Sequence, residues 1–253
     1  MKPPFLKEMY LDNTDFDSNI FPFNITFIKN KNFHLKFSSS VTIIAGDNGS
    51  GKSTILKTIA YNCDFNLKGG NKDHIYTNNK NSNIEKCLLL NKYLRFSWLP
   101  KITTGFYLAD NLMNFANYID EQAQDYGRKN VFSYYGGKSL NEQSHGESYL
   151  SLFYNRFEDE GIYILDEPEQ ALSPSKLLSL ICIIKEISDT GKAQFIIATH
   201  SPILMAYPKA QFFYINNGII EETSFDETEH YEITKTFLEN PDRYFKHLFD
   251  NRE

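Results

Sequence analysis

The sequence has little cysteine, a single tryptophan and no long apolar run. Its three cysteines, Cys63, Cys87 and Cys182, form no CxxC pair, which argues against a disulfide framework or a zinc site. No stretch approaches the roughly 18 consecutive apolar residues of a membrane-spanning helix, so we expect no membrane insertion. The N-terminal residues MKPPFLKEMYLDNTDFD include acidic side chains before any apolar segment typical of a signal peptide. We therefore expect a cytoplasmic protein in a reducing compartment.

Positive charge is also not in excess. The chain has 26 Lys and Arg residues against 32 Asp and Glu residues, a formal net charge of −6. A protein that binds nucleic acid by itself more often carries a basic face, so nucleic acid is disfavoured as a direct ligand but stays open as a partner. The 253 residues, 41% of them hydrophobic, suffice for one α/β domain with a sizeable core.

Four short apolar runs are typical of buried strands, and each ends near a small or polar residue. They are Val41–Ala45, Ile162–Leu165, Phe195–Ala198 and Phe212–Ile215. An Asn-Asn-Gly turn follows the last run, so Ile219–Glu222 is expected to pair back as a hairpin. Helical patterns separate the runs, which predicts a mostly parallel sheet with helices on both faces.

Two of these helical patterns are well defined. One follows the first apolar run and presents an apolar face of Ile55, Leu56, Ile59 and Ala60. The other is expected to begin with Ser173 as N-cap and Pro174 as first helical residue, and to stop before Gly191. Its apolar face comprises Leu177, Leu180, Ile181 and Ile184.

Two other segments complete the organisation of the chain. Residues 105–158 have a helical, polar-aromatic pattern and are interpreted as a helical lobe inserted in a single domain of residues 1–253. Asn66–Asn83 is rich in Asn, Lys and Gly without periodicity, and is expected to be a surface excursion.

A glycine-rich motif follows the first apolar run. Residues 46–54 read GDNGSGKST and match GxxxxGK[ST] at every fixed position. In such a loop the backbone N–H groups point at phosphates, Lys52 bridges the β- and γ-phosphates of ATP, and Ser53 ligates Mg²⁺. The strand before it and the helix after it argue against a chance Gly/Ser-rich turn. The candidate nucleotide-binding residues are Asn48, Gly49, Ser50, Gly51, Lys52, Ser53 and Thr54.

Two adjacent carboxylates follow the second apolar run. Asp166 is placed to hold Mg²⁺ through its outer coordination sphere, and Glu167 to polarise an attacking water as general base. Two carboxylates at the end of a buried strand are costly unless a cation lies nearby. Alone, the pattern could equally be a strand that ends in an acidic turn.

Two further motifs fall between and after these. In the sequence QSHGE, Ser144 and Gly146 at a helix start would form a second anion site, although Ser144 with Glu147 is also an ordinary capping box. The helix after it is expected to present Leu150, Phe153, Tyr154 and Phe157 on one face. In THSP, His200 at a strand end is expected to sense the γ-phosphate through a hydrogen bond, whereas a lone histidine is usually a surface or core residue.

The order of these motifs resembles the ATP-binding-cassette (ABC) class of ATPases. GDNGSGKST, QSHGES, YILDEPEQALSP and FIIATHSPIL resemble in particular the small stand-alone predicted ATPases of bacteria, grouped with the AAA family and RecF-like cassette relatives. The resemblance covers nearly the whole chain, including residues 226–248. It implies a P-loop NTPase fold with an ABC-type, mostly parallel sheet flanked by helices and an inserted helical signature lobe.

The resemblance also implies a mechanism. Two subunits would face head to tail as an ATP-dependent homodimer, with Ser144 and Gly146 contacting a γ-phosphate held by the partner's P-loop. Residues 172–174 (Leu-Ser-Pro) would cross the dimer interface. Glu167 and His200 would be the catalytic residues of ATP hydrolysis, with Mg²⁺ as cofactor.

The chain departs from the family pattern at three places. The signature has His145 and Glu147 where transporters have Gly and Gln, and no glutamine is found at the loop that joins core and lobe, where Asp110 could substitute. The adenine-stacking aromatic is unassigned among Phe21, Phe23, Phe27 and Phe33.

These observations leave several functions open. The leading hypothesis is a dimerising ATPase that acts on a partner protein or in a nucleic-acid process, such as genome maintenance or anti-phage defence. The alternatives are the nucleotide-binding subunit of an ABC transporter, a P-loop kinase or nucleotidyl enzyme, and a non-hydrolysing ATP-binding scaffold. The presence of Glu167 disfavours the scaffold.

Overall fold

A computed structural model describes residues 2–74, 88–108, 112–157 and 160–250. Its strands are β1 (Leu6–Leu11), β2 (His34–Lys36), β3 (Val41–Gly46), β4 (Leu94–Trp98), β5 (Gly105–Leu108), β6 (Gly161–Asp166), β7 (Ala193–Ala198), β8 (Gln211–Asn216) and β9 (Ile219–Glu222). Its helices are α1 (Thr26–Lys29), α2 (Lys52–Asn62), α3 (Leu112–Tyr126), α4 (Arg128–Phe132), α5 (His145–Arg156), α6 (Pro174–Asp189), α7 (Pro202–Met205), α8 (Glu229–Glu239) and α9 (Pro241–Asp250). None of the helices in these ranges is long and apolar enough to cross a membrane.

The main sheet has six strands in the order β5-β6-β7-β3-β8-β9. Its pairs are parallel except β8 with β9, which form the expected hairpin through Asn217 and Gly218 at positive φ. Every residue of β3, β6 and β7 is buried, because the sheet is covered on both faces. The predicted α/β fold with a mostly parallel sheet flanked by helices is confirmed.

A second, antiparallel sheet of order β2-β1-β4 was not predicted from the sequence. It is joined to the main sheet by the fully buried Gln194 of β7. The Oε1 atom of Gln194 accepts hydrogen bonds from the backbone N–H groups of Phe5 (2.8 Å) and Leu6 (2.9 Å). Its Nε2 atom donates to the carbonyl oxygen of Leu6 at 3.2 Å. One amide side chain thus connects the two sheets with three hydrogen bonds.

The two predicted helices are confirmed as α2 and α6. The apolar face of α2 is buried at Ile55, Leu56, Ile59 and Ala60. Helix α6 has Ser173 as N-cap and Pro174 at its first position, and the chain leaves it through Gly191 at φ +70°.

The helical lobe differs from its predicted outline in two respects. Gly105–Leu108 is not part of it but forms β5 beside β6, since Phe106, Tyr107 and Leu108 are apolar enough to be buried there. The predicted apolar face of α5 is wrong at Tyr154, whose side chain is 65% exposed. The buried face of α5 is formed instead by Tyr149, Leu152 and Phe153, followed by Phe157. Tyr154 therefore lies on the opposite, exposed face.

The predicted surface excursion is also partly wrong. Gly70 forms an isolated antiparallel bridge with Tyr107 of β5, with N–H···O distances of 2.8 and 3.0 Å. A Cβ atom on Gly70 would lie 2.8 Å from Nδ1 of His74, so the close approach requires glycine. Residues 66–74 are therefore packed against the core and lobe, while the remainder of the predicted excursion lies outside the described residues.

His74 ties this segment to the helical lobe. Its Nδ1 atom accepts a hydrogen bond from the backbone N–H of Asn71 at 3.0 Å, so the ring proton is on Nε2, which lies 3.2 Å from the hydroxyl of Tyr135. The ring is buried among aromatic side chains, with Phe115 at 5.1 Å between centroids. Burial, followed by the charge of Arg156, lowers the pKa of His74 to about 4. The neutral form is thus part of the folded structure.

This depressed pKa predicts a pH-dependent stability. The unfolded chain protonates His74 below its ordinary pKa of 6.5, whereas the folded chain resists protonation down to about pH 4. The stability that the buried, neutral ring provides is complete above pH 6.5 and is lost as the pH falls toward 4. Between these limits, the free energy of unfolding of the wild type should fall more steeply than that of His74→Gln, by about 1.4 kcal/mol per pH unit.

Urea unfolding at a series of pH values measures this difference. The glutamine keeps a donor and an acceptor but has no titrating group in this range. Parallel stability curves for the two proteins between pH 6.5 and 4 would contradict the prediction.

Candidate functional site

The ends of three central strands meet at one edge of the main sheet. In the parallel register, Ala198 of β7 pairs with Asp166 of β6 on one side and Ile44 of β3 on the other. The backbone continues this alignment beyond the strands, since Glu167 N–H donates to the carbonyl of Ala198 at 2.9 Å and Thr199 N–H to that of Ile44 at 3.2 Å. The loops that follow the three strands therefore begin side by side.

The loop after β3 depends on glycine at several positions. Gly46, Gly49 and Gly51 have φ values of +145°, +75° and +104°. A Cβ atom on Gly51 would lie 2.8 Å from Cγ2 of Ile25, and one on Gly46 would lie 2.7 Å from the carbonyl oxygen of Ile215. Gly49, by contrast, has no atom within 4 Å of its Cβ position and faces open space. The loop is tightly packed beneath and open at its rim.

The amine of Lys52 lies inside this loop. Its Nζ donates hydrogen bonds to the carbonyl oxygens of Gly46 at 2.8 Å and Asp47 at 2.9 Å. Burial lowers the pKa of Lys52, and the carboxylate of Glu167 is the strongest of the charges that oppose this shift. The loop thus brings a largely buried cation next to the acidic end of β6.

Hydroxyl and carboxylate oxygens surround the start of α2. The hydroxyl of Ser53 donates to Oδ1 of the fully buried Asp166 at 2.9 Å, and the hydroxyl of Tyr107 lies 3.4 Å from Oδ2. The buried Oγ of Ser50 makes no hydrogen bond within the described part of the chain. Mg²⁺ prefers hard oxygen ligands, and a hydroxyl that has no partner in the described chain, close to the amine of Lys52, suits an anion. The residues present therefore fit a magnesium ion with a phosphate.

The structure brings Glu167 and His200 into contact. Oε1 of Glu167 lies 3.1 Å from Nε2 of His200, and Oε2 accepts a hydrogen bond from the amide of Gln170. Glu167 has left-handed backbone angles of φ 50° and ψ 54°, which cost a non-glycine residue energy and are typical of functional positions. The side chains of His200 and Glu167 are 27% and 19% exposed, so both remain accessible.

A cavity of about 170 Å³ lies at the rim of the loop. It is lined by Phe21, Ile25, Gly49, Gly51, Lys52, Ser53, Thr54 and Glu167. Asn48 is exposed and does not line the cavity. Among the four phenylalanines considered for adenine stacking, Phe21 is 37% exposed. The other three, Phe23, Phe27 and Phe33, are core residues with exposures of 6%, 4% and 2%.

Phe21 is thus a candidate that sequence reasoning could not single out. Its neighbours in the sequence include several equally apolar aromatics, and only exposure beside the cavity distinguishes it. Asp110, the sequence-based substitute for the missing glutamine, lies outside the described residues.

The signature residues lie apart from this cavity in a single chain. Ser144 and Gly146 are at the start of α5, and neither lines the cavity. The backbone N–H and hydroxyl of Ser144 both donate to Oε2 of Glu147, at 3.0 and 2.8 Å, and these bonds lower the pKa of Glu147. The capping-box interpretation is therefore confirmed. A Cβ atom on Gly146 would lie 2.6 Å from Cδ of Lys176, so glycine permits α5 to pack closely on α6.

Comparison with known proteins gives one family match. Residues 116–206 match a family model described as "AAA domain, putative AbiEii toxin, Type IV TA system". The matched segment contains Ser144, Asp166, Glu167 and His200 but not the glycine-rich loop. The sequence matches no curated protein.

Several solved structures are similar to this chain at low sequence identity. A dimeric structure of the ATP-binding cassette MJ0796 bound to ADP and Pi is 16% identical, with 76% of this chain and 89% of that chain covered and a TM-score of 0.43. The SmcHead bound to the C-winged helix domain of ScpA is 14% identical, with 88% and 99% covered and a TM-score of 0.47. CbiO1 from Clostridium perfringens, part of the ABC transporter complex CbiONQ, is 18% identical, with 87% and 91% covered and a TM-score of 0.46.

The position of Phe21 generates a prediction about the ligand. If the glycine-rich loop binds ATP, Phe21→Ala should weaken ATP binding about 5-fold, because an aromatic contact with the base contributes on the order of 1 kcal/mol. Phe21→Tyr should bind ATP as the wild type does.

Isothermal titration with ATP and with inorganic tripolyphosphate tests this assignment. Tripolyphosphate lacks the base, so its affinity should not change in Phe21→Ala. Equal losses for both ligands would mean that Phe21 supports the loop rather than the base.

Proposed function

We propose that this chain, which has the α/β fold of the ABC/AAA-type ATPases, binds Mg-ATP and hydrolyses it within an ATP-dependent head-to-tail homodimer. The observation that carries the proposal is the contact of Glu167 with His200 at 3.1 Å, at the same sheet edge as Lys52 and Ser53. A phosphate-binding loop beside a carboxylate that can accept a proton from water is an arrangement suited to phosphoryl transfer to water.

Binding is assigned to the loop and the end of β6. Lys52 would exchange its bonds with the carbonyls of Gly46 and Asp47 for the β- and γ-phosphates of ATP. The Oγ atom of Ser53 and Oδ1 of Asp166, which lie 2.9 Å apart, would hold Mg²⁺ between them and the phosphates. When bound, this ion neutralises charge that develops on the phosphate oxygens. Glycine N–H groups of the loop would hold the remaining oxygens.

Hydrolysis is assigned to Glu167 and His200. Glu167 would accept a proton from a water molecule whose oxygen forms the new bond to the γ-phosphorus. The bond from that phosphorus to the β–γ bridging oxygen breaks, which releases ADP and inorganic phosphate. Gln170 and His200 hold the two oxygens of Glu167, one each, so the carboxylate is oriented before the water arrives.

A second subunit is needed because one chain leaves its signature residues unused. Ser144 and Gly146 do not line the chain's own cavity. Residues 172–174 are expected to cross the interface. Ser173 and Pro174 are exposed, whereas Leu172 is buried in the core. A partner subunit would place its α5 start, with positive dipole end and glycine N–H, over the bound γ-phosphate.

The target of the dimer is proposed only as a class of macromolecule. We infer a cytoplasmic ATPase that couples closure of the dimer to the action of a partner protein or to a nucleic-acid process.

The role of Glu167 predicts a trapped dimer. Glu167→Gln removes the proton acceptor but keeps the side-chain shape, so it should bind Mg-ATP, hydrolyse it about 100-fold more slowly or worse, and accumulate as a closed dimer. Light scattering after size-exclusion chromatography measures the mass with and without Mg-ATP. A monomer at saturating Mg-ATP would refute the dimer model.

The role of Ser144 predicts a separation of binding from closure. Ser144→Arg should retain ATP binding by the monomer but lose both dimer formation and hydrolysis, since a long cation would occupy the interface. Asn155→Arg is the matched control, because Asn155 is exposed near the other end of α5. An unchanged ATPase rate in Ser144→Arg, with both variants folded by circular dichroism, would show that the signature assignment is wrong.

A further inference from the structure

Glu169 connects the two loops that carry the proposed catalytic pair. It lies on the short turn of residues 168–171 that follows Glu167. Its Oε1 atom accepts hydrogen bonds from the backbone N–H groups of His200, at 2.5 Å, and Ser201, at 3.2 Å. Bonds from N–H groups to an ionised carboxylate are stronger than those between neutral groups. One carboxylate oxygen thus spans from the loop after β6 to the loop after β7.

His200 is consequently held by two carboxylates of the same turn. Its imidazole faces Glu167, and its backbone N–H faces Glu169. The flanking bonds of the loop are longer, with Thr199 N–H 3.2 Å from the Ile44 carbonyl and Ser201 N–H 3.0 Å from the Thr199 hydroxyl. Only the bond to Glu169 in this set is made by the backbone N–H of His200 itself, the residue that carries the imidazole.

The other oxygen of Glu169 argues against a purely stabilising role. Oε2 is buried and makes no hydrogen bond within the described ranges. Burial of a carboxylate oxygen without a partner is unfavourable, so a neutral side chain would serve stability better. The position of the side chain is explained instead by its other oxygen, which accepts the backbone N–H groups of both His200 and Ser201.

We propose that Glu169 is a positioning residue for His200, which it fixes through the backbone so that Nε2 stays 3.1 Å from Oε1 of Glu167. The expected effect on turnover rests on the proposed ATP hydrolysis. The hydrogen bond between Glu169 and His200 does not. Glu169 touches no reacting atom. Its charge also acts on Lys52, whose pKa it raises, and Glu169→Gln removes that charge while it keeps the hydrogen-bond acceptor, so the two effects can be separated.

A double-mutant cycle tests the action through His200. Glu169→Ala should lower kcat on the order of 10- to 100-fold with little change in KM for ATP, because misplacing a catalytic group costs rate more than binding. Glu169→Ala combined with His200→Ala should be no slower than His200→Ala alone. Glu169→Gln should restore most of the rate, since its carbonyl oxygen can accept both N–H bonds. The proposal would be overturned if the kcat loss of the double variant equalled the product of the two single losses. A wild-type kcat in Glu169→Ala would overturn it as well.

Amide hydrogen exchange provides a second test that does not depend on ATPase activity. Exchange at His200 and Ser201 should be faster in Glu169→Ala than in the wild type, and unchanged in Glu169→Gln and in the exposed-acid control Glu186→Ala. Equal protection of these amides in Glu169→Ala would overturn the positioning role whatever the ATPase rate. A wild-type protein without ATPase activity would instead overturn the proposed function, while the exchange result still decides whether Glu169 holds the loop.

Discussion

Parallel pairing of β6, β7 and β3 is the constraint on which the site depends. Because Ala198 is in register with both Asp166 and Ile44, the three chemically important loops begin at the same level of the sheet. The three strands are buried throughout, and a slip of one residue would turn each of their side chains to the opposite face. Core packing and the geometry of the site are therefore set by the same ladder of backbone hydrogen bonds.

Several energetically unfavourable groups of the described chain lie at this same edge. Glu167 has a left-handed backbone, Lys52 is desolvated, and Oγ of Ser50 and Oε2 of Glu169 are buried without hydrogen bonds in the described ranges. Each of these costs stability that a different residue would not. Their presence on the two loops of the candidate site is the pattern expected where function, rather than stability, decides the residue.

Sequence reasoning succeeded where the signal is local. Buried strands, the glycine-rich loop and helix starts have short patterns that depend on neighbouring residues, and these were confirmed. The small sheet was missed because β1 buries only Leu6 and Met9 completely and is attached through the distant Gln194. The roles of Phe21 and Glu169 depend on exposure and on contacts between separate loops, for which no local pattern exists. Tyr154 was placed on the wrong face because several aromatics on α5 share helical spacing.

The two outer strands of the main sheet have a consequence for self-association. The free side of β5 is partly occupied by the bridge between Gly70 and Tyr107, and β9 at the other margin ends in the exposed, acidic Glu221 and Glu222. Both features discourage the addition of a strand from another molecule, which is the usual route from a sheet to an aggregate. Copies of this chain that meet are thereby directed away from edge-to-edge pairing and toward side-chain surfaces, where contact can be reversible.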